Sequence, residues 1–212
     1  MYNRIIDNED DGIEFRLHDY DGPTLRIEVR DNLFDGNGED GIQLIDYPSV
    51  TDRIITIRRN IIANTAMAGL GFMSGGDTVE NYRAAQISEP IYVLNNTFSV
   101  NTYGLTGGGS TIALNNIFVG SEQTAILGLS TLSHAIYTQF GNNGTDHYNS
   151  LIDELNTNYE DPFLDADYRP GSGSSAIDAG VASFSWNGTP VLSLTTADFN
   201  GSAPDIGAVE AE

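Results

Sequence analysis

The chain has no cysteine and no lysine. Without cysteine there is neither a disulfide framework nor a thiolate metal site. All nine basic residues are arginine, and they face thirty acidic residues for a formal net charge of −21. Such a surface repels nucleic acid and anionic lipid, which argues against both as partners. An acid-rich, lysine-free surface suits a salty medium, where counterions screen self-repulsion; compositional drift in a secreted protein gives the same balance. Long hydrophobic runs are missing too, since no stretch approaches the roughly eighteen apolar residues of a membrane span. The N-terminal MYNRIIDNEDDG has no basic region followed by an apolar run, so no signal peptide is read there. It reads as if the chain begins partway through a larger pattern.

What is present is globular. The 212 residues, 40% of them hydrophobic, suit one domain with a substantial core. Five segments superpose on an asparagine: Asn3, Asn32, Asn60, Asn96 and Asn116, spaced by 29, 28, 36 and 20 residues. Two residues later stands Ile5, Phe34, Ile62, Phe98 or Phe118. Eight or nine residues after the asparagine comes a small residue with an aliphatic one behind it: Gly12-Ile13, Gly41-Ile42, Gly69-Leu70, Gly104-Leu105 and Ala125-Ile126. Three residues before it, in the four later segments, lie Val29, Ile57, Val93 and Ala113. Constant short segments joined by variable loops are what a solenoid requires, because each circuit must return to the same place. Period-two alternation, as in Leu25, Ile27 and Val29, makes the segments strands. Parallel strands about 4.8 Å apart turn each column into a ladder of like residues. Asparagine tolerates positive φ at a sharp bend, and its amide can bond to the copy in the next circuit. The glycines are expected to let the backbone recover from the turn before them.

This pattern resembles the repeat of right-handed parallel β-helix proteins, the pectate-lyase-like superfamily, over roughly residues 1 to 145. The tail carries further blocks: Asp161 to Asp165, Asp167 to Gly171, Ser174 to Gly180, and Pro204 to Glu210. They look like the C-terminal region of bacterial and archaeal surface-exported β-helix proteins. The resemblance implies an extracellular or cell-surface protein with a native C-terminal closure. The expected fold is therefore all-β, a right-handed parallel β-helix over 1–150 with an irregular closing segment over 151–212.

Outward positions on the strand before the asparagine change along the coil. Arg26, Glu28 and Arg30 give way to Ile54, Thr56 and Arg58, then to Tyr92 with Leu94 and Ile112 with Leu114. Four large apolar groups in water make a patch that monomers rarely expose. The segment from about Asp161 to Glu212 is expected to fold over it; a subunit interface, making the chain an oligomer, is the alternative.

Two candidate sites follow. On the Gly-Ile strand, Glu14, Arg16 and His18 face outward, with Tyr47 in the next circuit and Arg83 in the long loop after the third. β-Helix enzymes that cleave acidic polysaccharides resemble this layout. Their chemistry needs a base near the sugar C5 proton and a cation on the uronate carboxylate. Arg16 or Arg83 would be the cation, and His18 or Tyr47 the proton carrier, against a reading as ordinary surface charge. The second candidate stacks Asp10-Asp11 on Glu39-Asp40. Four carboxylates this close repel unless water or a cation intervenes, and hard oxygen ligands would select Ca2+. Solvated turn acids are the bland reading. Met67 and Ala68 follow in the third circuit, so any such site is expected to end there. The function classes left open are a polysaccharide lyase, epimerase or hydrolase, and a non-catalytic surface solenoid that binds glycans or spaces other domains.

Overall fold

The computed structural model describes residues 3–49, 51–82, 85–130 and 132–212. The chain is a parallel β-helix of three sheets. Sheet A stacks β1 (Arg4–Ile6), β4 (Leu33–Asp35), β7 (Ile61–Ala63), β10 (Thr97–Ser99), β13 (Ile117–Val119), β16 (Thr138–Gly141) and β18 (Thr157–Asn158). Sheet B stacks β2 (Ile13–Leu17), β5 (Ile42–Asp46), β8 (Ala68–Met73), β11 (Tyr103–Thr106), β14 (Thr124–Leu127) and β17 (Thr145–Tyr148). Sheet C stacks β3 (Leu25–Arg30), β6 (Arg53–Arg58), β9 (Gln86–Leu94), β12 (Gly108–Leu114) and β15 (His134–Ile136). A circuit runs A to B to C. Among the described residues, no helix is long and apolar enough to cross a membrane.

The columns stand in register. Ile5, Phe34, Ile62, Phe98 and Phe118 are successive neighbours in sheet A, and Phe140 continues them into a sixth circuit that lacks the asparagine. Phe98 and Phe118 stack with ring centres 4.6 Å apart, and Tyr159 closes the row 5.6 Å from Phe140. In sheet B the core column runs Ile13, Ile42, Leu70, Leu105, Ile126 and ends on His147.

The asparagines form a ladder at the turn from sheet C to sheet A. Asn60 Oδ1 accepts both the Asn32 backbone N–H (3.1 Å) and its side-chain Nδ2 (3.0 Å). Asn96 Oδ1 does the same for Asn60, and Asn116 Oδ1 for Asn96. Each amide nitrogen in turn donates to a carbonyl one circuit back: Asn60 to Val29, Asn96 to Ile57, Asn116 to Val93. The positive φ expected at the asparagine belongs instead to the residue before it: Asp31, Arg59, Asn95 and Asn115. The bend is made one residue early, which leaves the asparagine extended enough to point inward along the stack.

A second ladder, unforeseen in the sequence, lies five residues further on at the turn from A to B. Asn8 Nδ2 donates to Asn37 Oδ1 (2.8 Å), and Thr65 Oγ1 donates to Asn101 Oδ1 (2.9 Å). Asn143 Oδ1 accepts the Ser121 N–H in the same place. The glycines of the repeat also do a different job from the one expected. Gly12, Gly41, Gly69 and Gly104 are not at positive φ. A Cβ there would collide with Phe34, Ile62, Phe98 or Phe118 of the following circuit. They are small to let the large column side chain lie against the backbone.

The C-terminal segment covers the apolar outer face of sheet C. The antiparallel hairpin of β19 (Ser183–Trp186) and β20 (Thr189–Ser193) places Phe184, Trp186, Val191 and Leu192 on Leu94, Ile112, Leu114, Ile136 and Tyr92. Its tail blocks bind one another. Asp178 Oδ1 accepts the N–H groups of Ser202 and Ala203, and Asp205 Oδ1 accepts that of Asp178. Gly207 N–H donates to the Asn115 carbonyl, pinning the tail to the ladder turn.

Two expectations follow. Replacing Asn96 with alanine strands the Asn60 backbone N–H and removes the side-chain donor from the Ile57 carbonyl in a dry interior, so it should cost about 2 kcal/mol or more in denaturant unfolding. A loss below about 1 kcal/mol would deny the ladder its role. Glu210, half-buried beside Asp205, has its pKa raised from 4.5 to about 7, burial being the largest cause. The folded state therefore holds a proton that the unfolded chain releases, so this group's contribution to stability falls as pH rises from about 4.5 to 7. Thermal melts across that range should show a shallower decline for Glu210→Gln than for the parent.

Candidate functional site

The three turns of a circuit differ in freedom. The C-to-A and A-to-B turns carry the ladders and stay short. The B-to-C connection is unconstrained: it is the single residue Gly107 between β11 and β12, yet residues 74–85 between β8 and β9. Gly107 has φ +88, which a side chain rarely adopts, so the shortest connection depends on it. The longest connection decides what happens on the outer face of sheet B.

That loop folds back over the sheet. Gln43 points outward between the core residues Ile42 and Leu44, yet it is fully buried, as are outward-facing Ile45 and Met73. Gln43 Nε2 donates to Glu80 Oε1 at 2.6 Å, which fixes its oxygen on the other side; that Oε1 is buried without a partner. The Tyr82 hydroxyl donates to Asp40 Oδ1, which also accepts the Ala68 N–H at 2.8 Å. Asp40 Oδ2 is buried without a partner. A Cβ on Gly71 would collide with that oxygen. Gly71 faces outward and is the strand neighbour of Gln43, so both orphan oxygens lie on the outer face of the sheet beneath the loop. Tyr82 also packs on Tyr103, ring centres 5.0 Å apart.

The expected stacking of acidic turns is realised in the backbone: Asp11 Oδ1 accepts the Asp40 N–H at 2.8 Å, and Asp10 O accepts the Glu39 N–H at 3.3 Å. The carboxylates sort differently. Oxygens of Asp11, Glu39 and Glu80 all lie within 4.8 Å of one another. Asp10 is exposed and stands outside that group, while Asp40 turns beneath the loop. Met67 and Ala68 supply no carboxylate at the third circuit, and Glu80 reaches the group from the loop instead. Burial and then the neighbouring carboxylates raise Asp11 to about 6. Burial raises Asp40 to about 7 against the opposing bonds from Tyr82 and Ala68. Glu39 is raised too, by burial first and then by Glu80, Asp10 and Glu14. The charges that act most on these groups are all acidic.

The catalytic candidates fall beside this cluster on the first two circuits. Arg16 is forked onto Glu14, at 2.7 Å and 3.3 Å, and it also reaches Tyr47. The rings of His18 and Tyr47 lie 4.0 Å apart. Glu14, Arg16, His18 and Tyr47 thus form one patch, whereas Arg83 lies outside the described residues. The chain runs from His18 into Asp19, Tyr20 and Asp21, and from Tyr47 towards Ser49 and Thr51; these five line a cavity of about 410 Å3. A larger cleft of about 690 Å3 lies away from sheet B, between sheet A and the C-terminal segment. Two of its arginines are already paired, Arg58 with Glu28 and Arg59 with Asp31. Glu80 was not singled out in the sequence; the only signal was the length of the loop that carries it. The chain matches no family model, no curated protein and no solved structure.

Proposed function

We propose that the protein is an extracellular, carbohydrate-directed parallel β-helix, similar to the pectate-lyase-like superfamily, that binds a polysaccharide on the outer edge of sheet B. The observation that carries this reading is the His18–Tyr47 pair beside the Arg16–Glu14 fork. Sugar rings present apolar C–H faces that stack on aromatic rings, with hydroxyls at their rims that seek charged hydrogen-bonding groups. Tyr47 and His18 supply the first, and Glu14, Arg16, Asp19 and Asp21 the second. The net charge of −21 opposes a polyanion, which favours a neutral glycan.

A second reading, as a lyase, draws on the contact of Arg16 with Tyr47, a cation beside a phenolic proton carrier. Against it, Glu14 already neutralises the guanidinium that a uronate would need. The two readings separate in one panel of pectate, alginate and a neutral glycan. Calorimetry should detect binding of the neutral glycan, weakened about tenfold by Tyr47→Ala and by His18→Ala, the size of one lost stacking contact. Ultraviolet absorbance from unsaturated ends, lost in Arg16→Ala, would instead establish the lyase. Neither binding nor turnover on any member would overturn the carbohydrate reading.

A further inference from the structure

Asparagine followed by glycine is chemically labile where both are free to move. The glycine nitrogen can close on the asparagine side-chain carbonyl carbon, because glycine has no Cβ to obstruct the approach. The sequence contains four such pairs: Asn37-Gly38, Asn143-Gly144, Asn187-Gly188 and Asn200-Gly201. The fold restrains them to very different degrees.

Asn37 and Asn143 belong to the second ladder. Asn37 Oδ1 accepts Asn8 Nδ2 at 2.8 Å, its own Nδ2 donates to the Ile5 carbonyl, and the Gly38 N–H donates to the Asn8 carbonyl. Asn143 Oδ1 accepts the Ser121 N–H, its Nδ2 donates to the Phe118 carbonyl and to Asp146, and the Gly144 N–H donates to the Ser121 carbonyl. In both pairs the attacked amide and the attacking nitrogen are tied down. Asn200 Nδ2 donates to the Ala211 carbonyl at 2.9 Å, and Gly201 lies against Asp178. Asn187 is held by none of these means. It stands exposed with Gly188 at the tip of the β19–β20 hairpin, and neither its amide nor the Gly188 N–H has a partner among the described residues. A Cβ on Gly188 would meet nothing within 4 Å. The two residues have φ +49 and +80, the tight hairpin turn that sets Trp186 opposite Thr189.

We propose that Asn187-Gly188 is a self-modifying site that turns the asparagine into aspartate or isoaspartate and so loosens the hairpin covering sheet C. The Gly188 N–H gives its proton to solvent base, and the nitrogen forms a bond to Asn187 Cγ. The Cγ–Nδ2 bond breaks, and Nδ2 takes up a proton and leaves as ammonia. One water then opens the five-membered imide. Opening at Cγ gives aspartate; opening at the main-chain carbonyl gives isoaspartate, whose backbone is longer by the Cβ atom. The reaction consumes water, releases ammonia and needs no oxidant, reductant or enzyme. An extra backbone atom in a two-residue turn displaces Trp186 from Thr189. Trp186 packs on His134 with ring centres 5.6 Å apart, so the displacement reaches the cover over Tyr92, Leu94, Ile112 and Leu114. This assignment does not rest on the carbohydrate reading.

The full chain is aged in neutral buffer at physiological temperature and digested with chymotrypsin. Cleavage after Phe34, Phe140, Trp186 and Phe199 puts the four asparagines on separate peptides, and mass spectrometry reads the exchange of amide for acid in each. A retained hydrogen bond of about 1 kcal/mol slows the reaction about fivefold, and several slow it further. Asn187 should therefore react about fivefold faster than Asn200 and about tenfold or more faster than Asn37 and Asn143. In the urea-unfolded chain the four rates should converge, since the folded restraints are gone. The aged chain should melt about 2 °C or more below the fresh one and bind more of a dye that reports exposed apolar surface. Asn187→Gly keeps the turn without the amide, so ageing should leave its melting unchanged. Asn187→Asp adds the charge without the extra backbone atom and should melt close to the fresh parent; it is the control should Asn187→Gly fail to fold. No product at Asn187, or equal rates at the four asparagines in the folded chain, would overturn the site. Conversion with unchanged melting and dye binding, or an equal loss in fresh Asn187→Asp, would overturn the loosening through the turn.

Discussion

A solenoid must turn its backbone through a sharp corner several times without leaving the peptide groups of that corner unsatisfied. At a corner the strand ladder stops, and the groups it would have paired face inward, where water is scarce. The asparagine column meets this constraint by placing a side-chain amide where the ladder breaks. Asn60 Oδ1 takes two donors from Asn32, and Asn60 Nδ2 reaches back to the Val29 carbonyl. The amide thus behaves as one more peptide unit between circuits. Each asparagine needs the next for its own satisfaction, so the column couples every circuit to its neighbours. The tight bend at the preceding residue and the large side chain two residues later both follow from holding that amide in line.

With two corners fixed by ladders, variation is left to the third. The B-to-C connections can be a single glycine or a twelve-residue loop without disturbing the stack, since only their ends are constrained. This is the physical reason the unusual chemistry gathers on the outer face of sheet B. The Gly-Ile strands supply a fixed row of positions, and the loop after Met73 brings Glu80 and Tyr82 to them. The C-terminal segment performs the complementary task on sheet C, whose outward Tyr92, Leu94, Ile112 and Leu114 gain a hairpin partner in place of water.

How much of this could be read from the sequence depended on whether a position repeats. The asparagine, large apolar and small-residue columns repeat through the first five circuits, and they gave the fold and its register. Where the repeat lapses, the reading lapsed with it. Thr138 replaces the asparagine, and the circuit through Phe140 went unrecognised even though the phenylalanine remained. The second ladder, Asn8, Asn37, Asn101 and Asn143, was within reach, being five residues after the first column each time. Thr65 and Ser121 interrupt it and hid the spacing. The glycines were placed correctly and explained wrongly, because their role lies in contact with the next circuit and not in their own torsions. The candidate site was half legible. Asp11, Glu39 and Asp40 belong to the repeat, whereas Glu80 and Tyr82 belong to a loop whose path no column dictates.

The energetics of that loop point in the opposite direction from those of the ladder. In the ladder the buried amides of Asn32, Asn60, Asn96 and Asn116 are answered, and the result stabilises the fold. Under the loop, Asp40 and Gln43 are just as deeply buried, and each leaves an acceptor unanswered at a cost of about 1–3 kcal/mol. Burial, the largest cause, raises Asp11 to about 6 and Asp40 to about 7, which records the same desolvation penalty in another form. An alanine at position 40 and an apolar residue at 43 would cover the sheet without either cost. The loop offsets part of this cost by covering Ile45 and Met73 and by packing Tyr82 on Tyr103. The ladder supplies the rigid frame that lets the sheet tolerate this local deficit.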